Sequence, residues 1–191
     1  MLLKGGAGRV PQWHGHLPPS GALRGWRRWL VERGSLTAAL VAACSEFAVQ
    51  PVSEGLGLPL PDEAALLGIP ANQLVRVREV CLLCDGVARV YARSVLPLAP
   101  RDDFDRLFCG LGRRSLGKVL FADPAIVRGR LSFAPLGAAD WRVRRILQLR
   151  QHGLLAMADA AGPLWARRSA FGRGQRQLLV TEVFLPAVLA L

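Results

Sequence analysis

The chain has 191 residues, enough for one domain with a substantial core, and 51% of them are hydrophobic. Its 25 lysines and arginines against 14 acidic residues give a formal net charge of +11, compatible with nucleic acid, small anions or Arg-rich codon usage. No apolar run supplies the ~20 residues of a membrane-spanning helix, and residues 1–20 lack a secretory signal, so we expect a cytoplasmic protein without an integral membrane segment.

The N-terminal part predicts a loose leader followed by helices. Residues 1–20 have no periodic pattern, and we expect the folded domain to span residues 21–191. Ser20 is a suitable N-cap for a first helix that ends near Gly34, and Ser35 begins a second helix. Residues that follow at 46–58 indicate a first strand.

Residues 74–97 predict a β-hairpin, since two extended runs flank Asp85 and Gly86, a strong turn signal. With these two residues as the loop, Arg78 lies directly opposite Arg93. Like charges directly opposite each other destabilise a sheet, so the pair predicts an anion beside the guanidinium groups. The alternative is a solvent face on which exposed arginines splay apart.

The same hairpin contains two cysteines with CxxC spacing, Cys81 and Cys84. Positions three apart on a strand project to opposite faces, and a second CxxC is missing from the chain. We therefore interpret them as buried thiols and expect no metal.

The middle of the chain predicts covering elements. Residues 102–122 indicate two short helices around a Gly-rich joint at 110–117, which lacks the lysine and hydroxyl of a phosphate loop and favours a hinge or covering loop. Residues 125–136 indicate a strand. Residues 139–158 predict an Arg-rich helix whose basic face we expect in solvent, because no aromatic ladder or recognition helix accompanies it.

The last strand, at 177–186, places one carboxylate in an apolar row, because Glu182 shares a face with Leu178, Val180 and Phe184. An unpaired buried charge costs several kcal/mol, so Glu182 needs a partner. This strand forms a second hairpin with residues 164–171. Hairpins and segregated helices together predict an α+β fold with an antiparallel sheet.

Both hairpins in one sheet would bring Glu182 near Arg78 and Arg93 within an apolar enclosure. A guanidinium group holds a carboxylate well, and one net positive charge suits a small anion better than a polymer. We therefore expect a small-molecule ligand and no nucleic acid. No catalytic serine set or metal cluster competes, since two of the three histidines lie in the leader.

Six ordered motifs together resemble the chorismate lyase family. The resemblance runs from about residue 26 to the end, and the leader and residues 137–162 depart from it. The motifs are GSLTAAL at 34–40, VREVCLLCDG at 77–86, ARSVLP at 92–97, RRSLGKVLF at 113–121, LWARRS at 164–169 and LLVTEVFLP at 178–186.

The resemblance implies a single α+β domain in which helices fold over a six-stranded antiparallel sheet and enclose an internal ligand pocket. It also implies a monomeric carbon–oxygen lyase that needs no cofactor. Such an enzyme cleaves chorismate to 4-hydroxybenzoate and pyruvate, the first committed step of ubiquinone biosynthesis.

The resemblance also implies roles for five residues. It places the arginine that binds the ring carboxylate at Arg78 and the glutamate that meets the ring hydroxyl at Glu182. Leu36 and Leu116 match positions that close over the ring, and Arg93 matches a second arginine near the pocket. We expect Arg93 to neutralise the enolpyruvyl carboxylate or the departing group, and Glu182 either to take the proton or to position the ring.

Two other classes of protein remain open. One is a non-catalytic effector domain of the same fold that binds a small anion; such domains follow a winged helix, for which the 20 to 25 N-terminal residues give too little chain. The other is a basic nucleic-acid-binding protein, which would bind with a steep salt dependence.

Overall fold

The computed structural model describes residues 10–19, 21–99, 103–155 and 162–191. Within these ranges, six α-helices pack on an antiparallel sheet of seven strands. No helix in this described part is long and apolar enough to cross a membrane. The strands are β1 (Phe47–Gly57), β2 (Val75–Cys84), β3 (Val87–Pro97), β4 (Val127–Arg128), β5 (Ser132–Leu136), β6 (Leu164–Arg173) and β7 (Arg176–Phe184). The helices are α1 (Arg24–Leu30), α2 (Leu36–Val41), α3 (Pro61–Leu67), α4 (Asp103–Cys109), α5 (Leu116–Ala122) and α6 (Trp141–Gln151), with short 3-10 helices at Gly21–Leu23 and Pro186–Ala190.

The sheet has the order β1-β2-β3-β7-β6, with β4 and β5 both paired to the outer edge of β6. All pairs are antiparallel, which confirms the predicted α+β class. Seven strands replace the expected six because residues 125–136 form two strands rather than one. The interruption, residues 129–131, shifts the register against β6 by one residue, as a bulge does.

The sheet has two covered faces, which separate the elements that build the site from those that support it. The front face packs against α1, α2 and α5 through core residues such as Leu30, Leu40 and Leu120. The back face packs against α6 through Ile146 and Leu149. These three helices of the front face are short, with six or seven residues each.

The first hairpin has the predicted loop but a different register beyond it. Asp85 and Gly86 both have positive φ values, 52° and 75°, as the tight turn requires. The pairing then slips, so that Leu82 faces Val90 while Leu83 faces Ala88. This bulge turns the side chains of the remaining β3 residues to the opposite face.

As a result, Arg78 pairs with Ser94, and Arg93 pairs with Glu79. The predicted opposition of Arg78 and Arg93 is therefore wrong. The two arginines point to opposite faces of the sheet, and their charges do not meet.

The N-terminal segment is not loose where the structure describes it. Trp13 donates from Nε1 to Asp62 at 2.9 Å, His14 bridges to Phe133, and Leu17 is buried. The expected loose leader is thus wrong for residues 10–19, because an indole and a leucine anchor them. Ser20, the expected cap of the first helix, lies outside the described residues.

The Arg-rich helix is also less exposed than expected. It ends at Gln151, and Arg142 is 1% exposed. Residues 156–158 of the predicted helix lie outside the described ranges. Its guanidinium contacts Asp62 at 2.7 Å and Asp140 at 3.1 Å. The expectation of a solvated basic face is therefore wrong for Arg142, because acidic partners draw it into the back of the sheet.

The CxxC cysteines separate as expected, since Cys81 belongs to the back core and Cys84 to the front core. Burial raises the pKa of each thiol to about 12. Within the described ranges, no group of three or more His, Cys, Asp or Glu side chains could hold a metal.

Candidate active site

A cavity lies between the front face of the sheet and the two flap helices, α2 and α5. Its walls are mostly apolar, with a few polar groups that converge on the interior, as in small-molecule sites. The sheet contributes Val49, Arg78, Val80, Leu82, Ala92, Ser94, Arg128, Arg167, Phe171, Val180 and Glu182, and the flap side contributes Gly34, Leu36, Thr37, Ser115, Leu116, Gly117, Leu120 and Phe121.

The two flap helices begin in the same way. Ser35 and Ser115 are their N-caps, and each hydroxyl accepts a hydrogen bond from a backbone N–H three residues later. Leu36 and Leu116 follow as the first helical residues, and both are buried against the cavity. The sequence therefore places one leucine from each flap against the cavity.

One hydrogen bond joins the two flaps across the cavity. The hydroxyl groups of Thr37 and Ser115 lie 2.7 Å apart. Gly117 permits this approach, because a Cβ atom there would lie 3.2 Å from Oγ1 of Thr37. The closed roof thus depends on a small residue and on one neutral hydrogen bond.

Arg78 forms the positive end of the cavity and is only 2% exposed. Its Nη2 donates to the carbonyls of Gly112 and Arg114, in the loop that leads into α5. Its Nε is buried and donates to no residue that the structure describes, and Glu54 is 3.6 Å from it. Burial lowers the pKa of Arg78, and Glu54 partly opposes this. A buried guanidinium with an unused donor is ready to bind an anion.

Glu182 lies on the same face and is paired with an arginine that we did not assign from the sequence. Nε of Arg167 donates to Oε2 of Glu182 at 2.5 Å, and the two residues are direct cross-strand neighbours. The Nη1 group of Arg167 also donates to three carbonyls, those of Trp29, Leu30 and Glu32. The partner that the half-buried Glu182 requires is therefore Arg167.

Arg128 is a second residue that sequence reasoning missed. It lines the cavity from β4, and its Nε donates to the hydroxyl of Ser169 at 2.9 Å. Its Nη1 donates to the carbonyls of Arg33 and Gly34, just before the first flap. Burial, followed by the charge of Arg167, lowers the pKa of Arg128.

Arg93 lies outside the cavity, on the back face of the sheet. Its Nε donates to Glu63 at 2.9 Å and its Nη1 to Glu79 at 3.0 Å, while its guanidinium stacks on Trp141. Burial alone would lower the pKa of Arg93, but the two carboxylates raise it overall. Of the predicted site residues, the structure thus brings together Arg78, Glu182, Leu36 and Leu116, and it does not bring Arg93 to them.

Comparisons with known proteins agree on one family. Residues 22–190 match the family model for chorismate lyase. A probable chorismate pyruvate-lyase of Aromatoleum aromaticum is 47% identical over 165 residues, which cover 86% of each chain. Another, from Azoarcus sp., is 43% identical over 175 residues, covering 91% of this chain and 90% of that one.

Solved structures share the fold at low sequence identity. PhnF from Mycobacterium smegmatis superposes with a TM-score of 0.52 at 18% identity, covering 82% of this chain and 65% of that one. The effector domain of the same protein gives a TM-score of 0.51 at 18% identity, covering 80% and 89%. These likenesses concern the fold alone.

Proposed function

The chain belongs to the chorismate lyase family, and we propose that it removes pyruvate from chorismate to give 4-hydroxybenzoate, without a cofactor. The observation that carries the proposal is the mostly apolar cavity with Arg78 at one side and Glu182 at the other. We assign the reaction to the first committed step of ubiquinone biosynthesis.

The register of the sheet supports the fit of a para-substituted ring. Arg78 pairs with Ser94, which pairs with Val180, and Glu182 lies two residues beyond Val180 on the same face. Two strand spacings, about 10 Å, therefore separate the strands of Arg78 and Glu182. A ring lying over Ser94 and Val180 can place its carboxylate at Arg78 and its hydroxyl toward Glu182.

The proposed reaction breaks the bond between the ring carbon and the enolpyruvyl oxygen. The hydrogen on the hydroxyl-bearing carbon leaves as a proton, and its electron pair forms the last ring double bond as the enolate of pyruvate departs. The released enolate takes up a proton and becomes pyruvate. Aromatisation provides much of the driving force, which is why the chemistry needs no redox partner.

Each residue then has a defined task. Arg78 orients the ring through its carboxylate, which is a positioning effect. Glu182 either takes the proton or accepts a hydrogen bond from the hydroxyl beside it. Leu36 and Leu116 keep water from the ring, which strengthens the electrostatic interactions inside the cavity.

Incubation of the purified protein with chorismate in the presence of EDTA tests the proposal. We expect 4-hydroxybenzoate and pyruvate to form in equal amounts. Chromatography and absorbance measure both products. Failure to form 4-hydroxybenzoate, in a sample that binds it, would instead favour the non-catalytic effector domain. A protein that does not bind 4-hydroxybenzoate at all would show that the cavity is not a site for small anions of this kind.

A further inference from the structure

The charges in the cavity exceed what a single carboxylate requires. The proposed substrate carries two carboxylates, one on the ring and one on the enolpyruvyl group, whereas the proposed product carries only the first. Three arginines line the cavity, namely Arg78, Arg128 and Arg167. Because Arg93 lies on the back of the sheet, the second carboxylate needs another partner.

Arg167 is already ion-paired with a carboxylate of the protein itself. Glu182 neutralises its charge at 2.5 Å, and three backbone carbonyls occupy its Nη1 group. A ligand carboxylate at Arg167 would have to approach Glu182 and be repelled by it. Arg167 therefore serves to hold Glu182.

Arg128 has the opposite character. It forms no ion pair with any residue that the structure describes, and its hydrogen bonds there use only Nε and Nη1. The Nη2 group is left with both of its N–H donors. The rings of Phe121 and Phe171 lie 5.6 Å and 5.4 Å from its guanidinium carbon, which fixes the plane of the group without neutralising it.

Arg128 is also correctly placed relative to Arg78. Arg78, Ser94, Val180 and Ser169 form one row of cross-strand neighbours, and Nε of Arg128 is bonded to the last of them. The row spans three strand spacings, about 14 Å. The two guanidinium groups thus approach the ring space from opposite ends of the row, with the ring between them.

We propose that Arg128 binds the enolpyruvyl carboxylate of chorismate, and this inference rests on the proposed function. The contact exists for the substrate and disappears when pyruvate leaves, since 4-hydroxybenzoate has nothing to offer Arg128. Arg128 therefore distinguishes substrate from product, whereas Arg78 holds both. It also orients the ether bond that breaks.

The test compares Arg128→Met and Arg128→Lys with a matched control, Arg130→Met. Arg130 is two residues away and exposed, so its replacement removes the same charge outside the cavity. For each protein we would measure kcat/KM for chorismate, the Kd of 4-hydroxybenzoate by calorimetry, and Tm. Arg78→Met provides the comparison, because in it chorismate and 4-hydroxybenzoate both lose the arginine that binds the ring carboxylate.

We expect Arg128→Met to lower kcat/KM for chorismate by about 10- to 150-fold, the effect of losing a hydrogen bond to a charged group. The Kd of 4-hydroxybenzoate should stay within about twofold. Arg128→Lys should recover part of the loss, Arg130→Met should match the wild type, and Arg78→Met should weaken both ligands.

Equal losses for chorismate and 4-hydroxybenzoate in Arg128→Met would overturn the inference, because they would indicate a merely structural role at the first flap. Unchanged kinetics would overturn it as well. A wild-type protein that forms no product would overturn the proposed function and this inference with it, whereas an active wild type with an unaffected Arg128→Met would overturn only the inference.

Discussion

Glu182 and Arg167 form the most tightly coupled pair in the cavity. The guanidinium is 1% exposed and the carboxylate 15% exposed, and their 2.5 Å contact leaves Oε1 of Glu182 without a partner among the described residues. The arginine thus fixes one carboxylate oxygen and leaves the other able to accept a proton or a hydrogen bond. This arrangement is suited to proton transfer at one defined position.

We expect Glu182→Gln to lower kcat by about 100-fold or more, because glutamine keeps the shape of the side chain but cannot accept a proton. Steady-state kinetics and the Kd of 4-hydroxybenzoate would be measured together. If Glu182 is the base, kcat should fall while the affinity for 4-hydroxybenzoate is unchanged. If Glu182 only positions the ring, kcat and the affinity for 4-hydroxybenzoate should both decrease. Unaltered turnover would remove Glu182 from the chemistry.

The control for this replacement is Glu46→Gln, which alters an exposed carboxylate. Thermal unfolding should accompany the kinetics, because in the variant Arg167 loses the one carboxylate that it contacts among the described residues. If Glu182→Gln greatly lowers Tm but the protein that remains folded keeps the wild-type kcat, the pair of Glu182 and Arg167 contributes to stability alone.

The pairing of these two residues was available from the sequence, although we did not use it. With Gly174 and Gln175 as the loop of the second hairpin, Arg167 falls directly opposite Glu182, as the structure has it. No irregularity intervenes between the loop and the pair. Period-2 alternation and a two-residue loop were therefore sufficient there.

At the scale of elements, the first hairpin shows where such counting fails. Its loop was correct, but the bulge between Ala88 and Val90 reversed the facing of Arg93. Nothing in the local pattern marks the bulge, since an apolar residue flanks Arg89 on either side and the strand is buried on both faces. Arg128 was missed for a related reason, because a two-residue edge strand carries no periodic signal.

Arg93 instead belongs to an ion network on the back of the sheet with Glu63, Glu79 and Arg142. We expect Arg93→Met to destabilise the protein by about 3–5 kcal/mol, because two buried carboxylates lose their common partner. Urea unfolding measures this free energy, with the exposed Arg144→Met as control. A specific loss of chorismate affinity in a fully stable Arg93→Met variant would contradict this assignment and return Arg93 to the site.

The flap helices α2 and α5 form an element pair whose closure can be tested independently of the chemistry. Thr37→Val preserves the size of the side chain and removes the hydroxyl that meets Ser115. A neutral hydrogen bond contributes about 0.5–1.5 kcal/mol, so we expect 4-hydroxybenzoate to dissociate about 2- to 13-fold faster. Stopped-flow displacement measures the rate.

Thr37 is the better choice for this experiment because Ser115 also caps α5. Removal of the Ser115 hydroxyl would weaken the helix and the contact at once. An unchanged dissociation rate in Thr37→Val would show that another motion limits release.

At the scale of the whole molecule, the formal charge of +11 conceals two populations of arginine. One population is buried beside carboxylates: Arg93, Arg142, Arg167 and Arg168 lie within 3.0 Å of a carboxylate oxygen and Arg78 lies at 3.6 Å. These residues build the site and its support. The other population is exposed. Together with Lys118 it includes Arg113 and Arg114 in the groove beside the flaps, and these cations set the field that an approaching ligand meets.

This field should attract a dianion and should weaken with salt. The Debye length falls from about 30 Å at 0.01 M to about 8 Å at 0.15 M ionic strength, so we expect kcat/KM for chorismate to fall about tenfold across that range. By contrast, kcat should change little, since the bound substrate lies inside the cavity. Steady-state kinetics in a series of salt concentrations measures both.

A matched pair of variants locates the source of the attraction. Replacing both Arg113 and Lys118 by Gln should flatten the salt dependence, because these cations border the groove that shares Thr37 and Ser115 with the cavity. Replacing the exposed Arg24 and Arg144 by Gln changes the net charge equally but away from that groove. If both pairs of replacements reduce the salt dependence of kcat/KM equally, net charge alone guides chorismate to the protein. If neither pair changes the salt dependence, long-range attraction by these residues plays no part in the entry of substrate.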